Sequence, residues 1–284
     1  PHHLGIETKQ IISALNENTR AVLLTHVQGF NALTEELLEE LKRINILLIE
    51  DVCESHGATH QEQKLGNFGW ASNFSFYYAH HMSTIEGGML CTNYSELYQT
   101  FRLLRSHGMV RESTSEHLKD SYQNQYPDLN PDFIFAFPAF NVRNNEIGAI
   151  FGRNQLKRLD VNNKLRNRNF KLFLDNLDVS KYRTDFRLEG SSNYALNLIL
   201  QHTDVIFTER LMKRMHEEKI EFRRGSAGGG NQLRQPYLRK LLRESYQNFP
   251  EVDHIHFHGF YIGNFPSLED EKILKLCEIL NSVE

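Results

Sequence analysis

The sequence predicts an α/β protein built on a mainly parallel sheet, with a smaller α+β unit after it. Two apolar runs, AVLLTHV (21–27) and INILLIED (44–51), flank a stretch of helical spacing, TEELLEELKRIN (34–45). Strand, helix and strand joined by short loops form a βαβ unit, whose strands run parallel. Each run has a continuous apolar stretch, AVLL and ILLI, as strands covered on two faces do. Beyond residue 160 strands and helices alternate in a mixed order, which points to a second layered unit. The expected division is a large domain over 1–160 and a small C-terminal domain over 161–284. At ~100–200 residues per domain, the length agrees.

The elements follow in order. Residues 8–18 read as a helix with Ile11, Ile12 and Leu15 on one face. Thr34 is placed to cap the helix of the βαβ unit. NFSFYY (73–78) and GGMLCTN (87–93) read as short strands, and SELYQTFRLLRSHG (95–108) as an amphipathic helix ending at Gly108. Residues 110–140 are polar and proline-containing, with aromatics near the end, and read as a long loop covering a site or a partner. Residues 144–177 read as one long basic helical stretch bridging to the second domain. YALNLIL (194–200) and HIHFHGFYIGN (254–264) read as strands; TERLMKRMHEEK (208–219) and LEDEKILKLCEILN (268–281) read as helices.

Composition narrows the class. With 40% hydrophobic and 24% charged residues the chain is ordinary globular material. A formal charge of −4 and no long basic run give no reason to expect nucleic acid or an anionic membrane as partner. No apolar stretch reaches the ~18 residues of a membrane span, and no signal peptide is visible. Cys53, Cys91 and Cys277 lie far apart without a CxxC pair, against a zinc ribbon, an iron–sulfur cluster or a disulfide framework. A reducing cytoplasm is the default location. The chain begins PHHLGIE, without Met, and soon enters what reads as the middle of an α/β domain. An N-terminal piece is therefore expected to be missing.

In an open parallel sheet, ligands bind beyond the carboxyl ends of the strands. Asp51 sits at such an end and could meet a positive group of a ligand, or simply cap the following turn. Ser75 lies on a strand among Phe74 and Phe76, its hydroxyl opposite the rings. His80 comes five residues later, either as a catalytic base or as a hydrogen-bonded structural residue. A metal held by His80 and His81 is disfavoured, because neighbours on an extended chain point apart and no carboxylate or thiol cluster joins them.

IEDVCESHGA (49–58), G-x-F-G (66–69), FSFYYAHHMSTIEGGMLCTN (74–93), LRSHG (104–108), FNVRNNEIGAIFGRNQLKRLD (140–160), AGGGNQLRQPY (227–237) and FYIGNFPSL (260–268) occur in this order. As a series they resemble the DegT/DnrJ/EryC1/StrS family of pyridoxal-phosphate enzymes acting on nucleotide sugars, across essentially the whole chain. The resemblance implies an aspartate-aminotransferase-like (type I PLP) fold, with pyridoxal or pyridoxamine phosphate as cofactor. It implies that Asp51 pairs with the cofactor's pyridine nitrogen and that Ser75 bonds its phosphate. It further implies that Asn141 reaches the phosphate of a neighbouring subunit, so that a homodimer shares its active sites. Cys53 would pack near the ring, or is simply a small buried residue. Arg223, Arg224, Asn231 and Arg234, around the glycine-rich SAGGGN, fall in a region that lies at the family's active site. Contact with nucleotide or sugar and plain surface charge both remain open for the arginines.

Two departures sharpen the reading. The family's aminotransferases carry a lysine where His80 stands. An imidazole cannot hold the cofactor as a Schiff base, but it can move a proton near neutral pH. Glu54 stands where those enzymes usually have Gln, which leaves the usual contact to the cofactor's phenolic oxygen open. Both changes resemble the nucleotide-sugar 3-dehydratase branch. There a 4-keto-6-deoxy nucleotide sugar would lose its C3 hydroxyl, with His80 as base, ammonia released, and glutamate restoring the amine form of the cofactor. A sugar aminotransferase and a catalytically silent binding protein are the alternatives. His81 is expected to point away from His80, toward solvent or a partner. His107 is expected to be structural. His254, His256 and His258 would share one strand face, and no metal is expected there. Without the N-terminal segment the chain is expected to bind cofactor weakly or not at all.

Overall fold

The computed structural model describes residues 2–242 and 245–284. Helix α1 (Thr8–Ala14) precedes β1 (Ala21–Thr25), α2 (Glu35–Arg43) and β2 (Leu47–Asp51). A small hairpin, β3 (Thr59–His60) and β4 (Gln63–Lys64), leads to β5 (Ala71–Ser75), β6 (Gly88–Cys91) and α3 (Ser95–Leu104). Three more helices follow: α4 (Glu116–Gln125), α5 (Glu146–Leu156) and α6 (Leu159–Asp175). The remainder comprises β7 (Ala195–Ile199), α7 (Val205–Glu217), β8 (Phe222–Arg224), α8 (Pro236–Leu241), α9 (Pro250–His258), β9 (Gly259–Gly263) and α10 (Asp270–Asn281).

The first sheet runs β1-β2-β5-β6, parallel except for the last pair. Its local causes are legible. Thr34 accepts from the Leu37 amide and caps α2, acidic residues fill the first turn, and Lys42 and Arg43 close the last. Leu37 and Leu41 point inward on Leu24, Leu33 and Leu48. The second sheet, β7-β9-β8, is antiparallel, and α6, α7 and α10 bury its core around Phe170, Leu196, Leu211 and Ile273. Phe30, from the loop after β1, enters this second core and stacks on Phe186 at 5.7 Å. Among the described residues no helix is long and apolar enough to cross a membrane.

Three expectations change. HIHFHG is not a strand: residues 250–258 form α9, started by Pro250, and only 259–263 extend into β9. His254, His256 and His258 therefore do not share a strand face. The 110–140 stretch contains α4, capped by Ser115, because its polar residues favour an exposed helix as readily as a loop. The long stretch over 144–177 breaks at Lys157 and Arg158 into α5 and α6.

Candidate active site

Asp51 ends β2 in a row set by register. Thr25 on β1 and Asn73 on β5 are its direct partners across the sheet. In-register neighbours on parallel strands share a face, so both side chains turn toward the same carboxylate. Asn73 Nδ2 donates to Asp51 Oδ1 at 3.0 Å, the Cys53 amide donates to it at 3.1 Å, and the Thr25 hydroxyl lies 3.5 Å from Oδ2. Asn73 also donates to Cys53 Sγ at 3.1 Å. Burial, and then Asp51, push the Cys53 thiol up to about 12, so it stays protonated.

Beneath this row lies a buried brace. Glu50 is fully buried and accepts from the backbone amides of Gly66, Phe68 and Gly69, each at 2.8 Å. Burial opposes its ionisation, but His26 and those amides outweigh it and hold the carboxyl below its ordinary value. The G-x-F-G motif is thus the cradle of Glu50. A Cβ at Gly69 would meet the Leu48 carbonyl at 2.6 Å.

Glu54 is tied to the loop after β1. Its Oε2 accepts from the Gln28 amide at 3.0 Å. Burial raises its carboxyl to about 7. Gln28 has φ 49° and keeps both side-chain polar atoms buried without a partner among the described residues. Its carbonyl accepts from the Tyr194 amide at 3.0 Å, and the Gly29 carbonyl accepts from Ser192 at 2.8 Å. A Cβ at Gly29 would sit 2.5 Å from the Asn193 nitrogen, so a glycine is what lets segment 192–194 dock here. Tyr194 is thereby brought against His80, with ring centroids 5.6 Å apart.

His80 lies in a turn beyond β5, its amide bonded to the Tyr77 carbonyl. Gln155 of α5 clamps the turn that follows, accepting from the Ser83 amide at 3.0 Å and donating to its carbonyl. Burial pushes the His80 imidazole below its ordinary value, and Asp51 partly offsets this. Nδ1 is buried and unpartnered among the described residues, and Nε2 is not. At neutral pH this is a neutral imidazole with a basic nitrogen. Ser75 ends β5, and its hydroxyl accepts from the Tyr77 amide at 3.3 Å.

His81 does not face solvent. It is buried, bonded through Nε2 to the Ser192 carbonyl at 3.2 Å, and held well below the ordinary imidazole value by burial and then by Arg166. The expectation failed because the chain turns here instead of remaining extended.

A cavity of about 680 Å³ opens next to His80, lined by Tyr78, Arg166, Tyr194, Arg223, Tyr261 and Asn264 among others. The nearby Tyr261 and Tyr78 hydroxyls favour the charged form of Arg223 there. The other small-domain candidates are engaged elsewhere. Arg234 makes a two-pronged pair with Asp253 at 2.7 and 2.6 Å and covers the Tyr246 ring, while Asn231 is buried and donates to the same Asp253. Arg224 donates to the Phe257 carbonyl. Asn141 is exposed and accepts from Arg143 Nε. The structure therefore gathers Asp51, Cys53, Glu54, Ser75, His80 and Arg223, and leaves Asn141, Arg224, Asn231 and Arg234 outside the group. Sequence reading missed Gln28, Gln155 and Tyr194, which the structure packs around this group. Gln155 carried a signal, as the Gln of the QL pair in the 140–160 motif. Among the described residues no group of three or more His, Cys, Asp or Glu side chains could hold a metal ion.

A mainly parallel sheet with the Asp51 carboxylate at its strand ends, followed by an antiparallel α+β part, is the aspartate-aminotransferase-like architecture. The chain belongs to the DegT/DnrJ/EryC1/StrS aminotransferase family, whose model matches residues 1–281. It is 30% identical over 283 residues to the GDP-4-keto-6-deoxy-D-mannose 3-dehydratase of Yersinia pseudotuberculosis, covering 98% of this chain and 70% of that one. It is 31% identical over 168 residues to the GDP-perosamine synthase of Caulobacter vibrioides, covering 59% of this chain and 40% of that protein. Among solved structures, a GDP-4-keto-6-deoxymannose-3-dehydratase with a trapped PLP–glutamate geminal diamine superposes with a TM-score of 0.84 at 26% identity, over 98% of this chain and 72% of that one.

Proposed function

We propose that the chain is a pyridoxamine-phosphate-dependent 3-dehydratase acting on a 4-keto-6-deoxy nucleotide sugar, with His80 as its base. The observation that carries this is His80 itself: a neutral imidazole near Asp51, where the family's aminotransferases have a lysine.

The residues present fit the cofactor. Asp51 is an acceptor already aligned by two donors, and the Gln28 side-chain carboxamide is a buried polar group still lacking partners among the described residues. Asp51 would hold the pyridine nitrogen, Ser75 the phosphate, and Cys53 would line the ring. Glu54, with its carboxyl near 7, is partly protonated at neutral pH and can donate a hydrogen bond to the phenolic oxygen as a glutamine would. When bound, the cofactor supplies a protonated ring that accepts electrons. His80 Nε2 would take up the proton released at the cofactor's reacting carbon and would return it to the departing C3 hydroxyl, which would leave as water. Tyr194 and Tyr77 wall the imidazole against water on two sides. The cavity beside it, with Arg223 and Arg166, has room and charge for the sugar nucleotide.

The test is incubation of the protein with pyridoxamine phosphate, glutamate and GDP-4-keto-6-deoxymannose, followed by product mass. A 3-deoxy product with ammonia release is expected. A 4-amino product would replace this reading with amino transfer. No turnover of GDP-, CDP- or dTDP-linked 4-keto-6-deoxy sugars by protein whose spectrum shows bound cofactor would replace it with a silent binding protein.

A further inference from the structure

The proposed base needs its proton on the correct nitrogen. With Nε2 facing the site, neutral His80 can act as base only if its own proton sits on the buried Nδ1. A buried N–H with no acceptor is costly, and would favour the wrong tautomer or a turned ring. In most catalytic histidines a carboxylate solves this problem. Here Asp51 does not: its oxygens are bonded to Cys53, Asn73 and Thr25, and it acts on His80 through charge. The rings of Tyr77 and Tyr194 pack against His80 at centroid distances of 5.6 Å, and the remaining ring is His56, at 6.1 Å and 63°.

His56 is an unusual neighbour. It is 1% exposed, and neither ring nitrogen has a hydrogen-bond partner among the described residues. Its backbone is fixed, since its carbonyl accepts from Asn163 at 2.8 Å. Burial, and then His80, hold its imidazole down to about 4, so it is neutral at neutral pH. Two acceptors compete for its single proton. One is the Ser75 backbone, near enough to raise the ring's proton affinity without being hydrogen-bonded to it. The other is His81 Nδ1, which holds a lone pair because Nε2 is bonded to the Ser192 carbonyl; the two rings are 5.7 Å apart. A proton drawn to either acceptor leaves the second nitrogen of His56 as a lone pair inside the protein.

We propose that His56 is a positioning residue, whose free nitrogen accepts the Nδ1 proton of His80 and so presents Nε2 as the base. The order of hydrogen bonds is His80 Nδ1–H to His56, and His56 N–H to the Ser75 carbonyl or to His81. It is an orienting chain without a carboxylate, and it stays neutral. The ring separation is longer than a direct N–H···N contact requires, and of the three rings packed on His80 only His56 has a nitrogen to offer as acceptor. The proposal rests on reading His80 as the base, but its first test does not depend on turnover.

That test is the ring-proton state of His80 in the free protein with ¹⁵N-labelled histidine, its signals assigned by their loss in His80→Asn. Long-range ¹H–¹⁵N spectra at pH about 7.5 should show Nδ1 protonated and Nε2 bare. In His56→Phe the two tautomers should mix or invert, and in His56→Gln, whose amide oxygen can accept, the Nδ1–H form should return. For turnover we expect kcat to fall roughly 10–100-fold in His56→Phe and to recover to within about fivefold in His56→Gln, with KM changed less than about twofold in both. A wild-type His80 protonated on Nε2 overturns the proposal, as does an unchanged Nδ1–H form in folded His56→Phe. If His56→Phe does not fold, His56→Leu takes its place, and the wild-type spectrum alone can still refute the idea. A correct tautomer response in a protein lacking dehydratase activity would refute the proposed reaction and leave this arrangement standing.

Discussion

At the scale of single residues the site is a set of opposed proton affinities. His80 is pushed toward its neutral form by burial, so removing its imidazole should remove the base and little else. His80→Asn is expected to lower deoxygenation by about 10²–10⁴-fold with substrate binding retained, and single-turnover product analysis with pre-bound pyridoxamine phosphate checks it. His80→Lys should likewise suppress deoxygenation; unchanged 3-deoxy product would remove His80 from the mechanism. Glu54 gives a prediction in the opposite direction from most carboxylates. Its carboxyl rises from 4.5 unfolded to about 7 folded. Between those values the folded chain keeps a proton that the unfolded chain releases. Stability should therefore fall as pH rises from about 4.5 to 7, and the loss is complete above 7. Glu54→Gln cannot ionise, so it should exceed wild type by about 1–3 kcal/mol at pH 8 and match it near pH 4. Urea midpoints at the two pH values decide this, and a parallel dependence in both proteins would refute it.

At the scale of elements the first sheet holds the site by what its loops grasp. Glu50 is the clearest case. Its folded carboxyl lies below 4.5, so its contribution is present above that value and is lost as pH falls through the folded value. Glu50→Ala leaves three buried amides and His26 without an acceptor, and a cost of about 3–5 kcal/mol is expected in thermal or urea unfolding. A loss below 1 kcal/mol would mean that water replaces the carboxylate readily. Much of this level was legible. The βαβ periodicity gave β1, α2 and β2 to within a few residues, and Asp51 followed from its place at a strand end. HIHFHG was misread because alternating histidines suit a strand, whereas Pro250 and the hydrogen bonds of 250–258 make a helix. His81 was misread because alternation assumes an extended chain, and the chain turns at Tyr77 to His80. Gln28 and Tyr194 had no local signal. Their roles arise from docking between segments more than 20 residues apart, which no short window contains.

At the scale of the whole molecule, the apolar side chains of α5, Ile147, Ile150 and Phe151, stand exposed, as do Met89 and Leu90 of β6 and Phe140 and Val142 beside Asn141. Asn141 is outside the group around His80. We propose that two copies pair over this surface and that Asn141 completes the neighbour's site. Mixing inactive His80→Asn and Asn141→Ala proteins should then restore activity, to about a quarter of wild type for random exchange in a twofold dimer. Additive, inactive behaviour in a verified mixed dimer would place Asn141 in its own subunit's site or in none. The order of the first sheet has a further effect, on time rather than on chemistry. Its strands lie side by side in the order in which they are synthesised, so each can join the one made before it. The row of Thr25, Asp51 and Asn73 can form while the chain beyond β6 is still to come, whereas Ser192 and Tyr194 reach Gly29 and Gln28 only a hundred residues later. The base of the site is early and its enclosure late, so a chain halted between them would present its reactive face open to water.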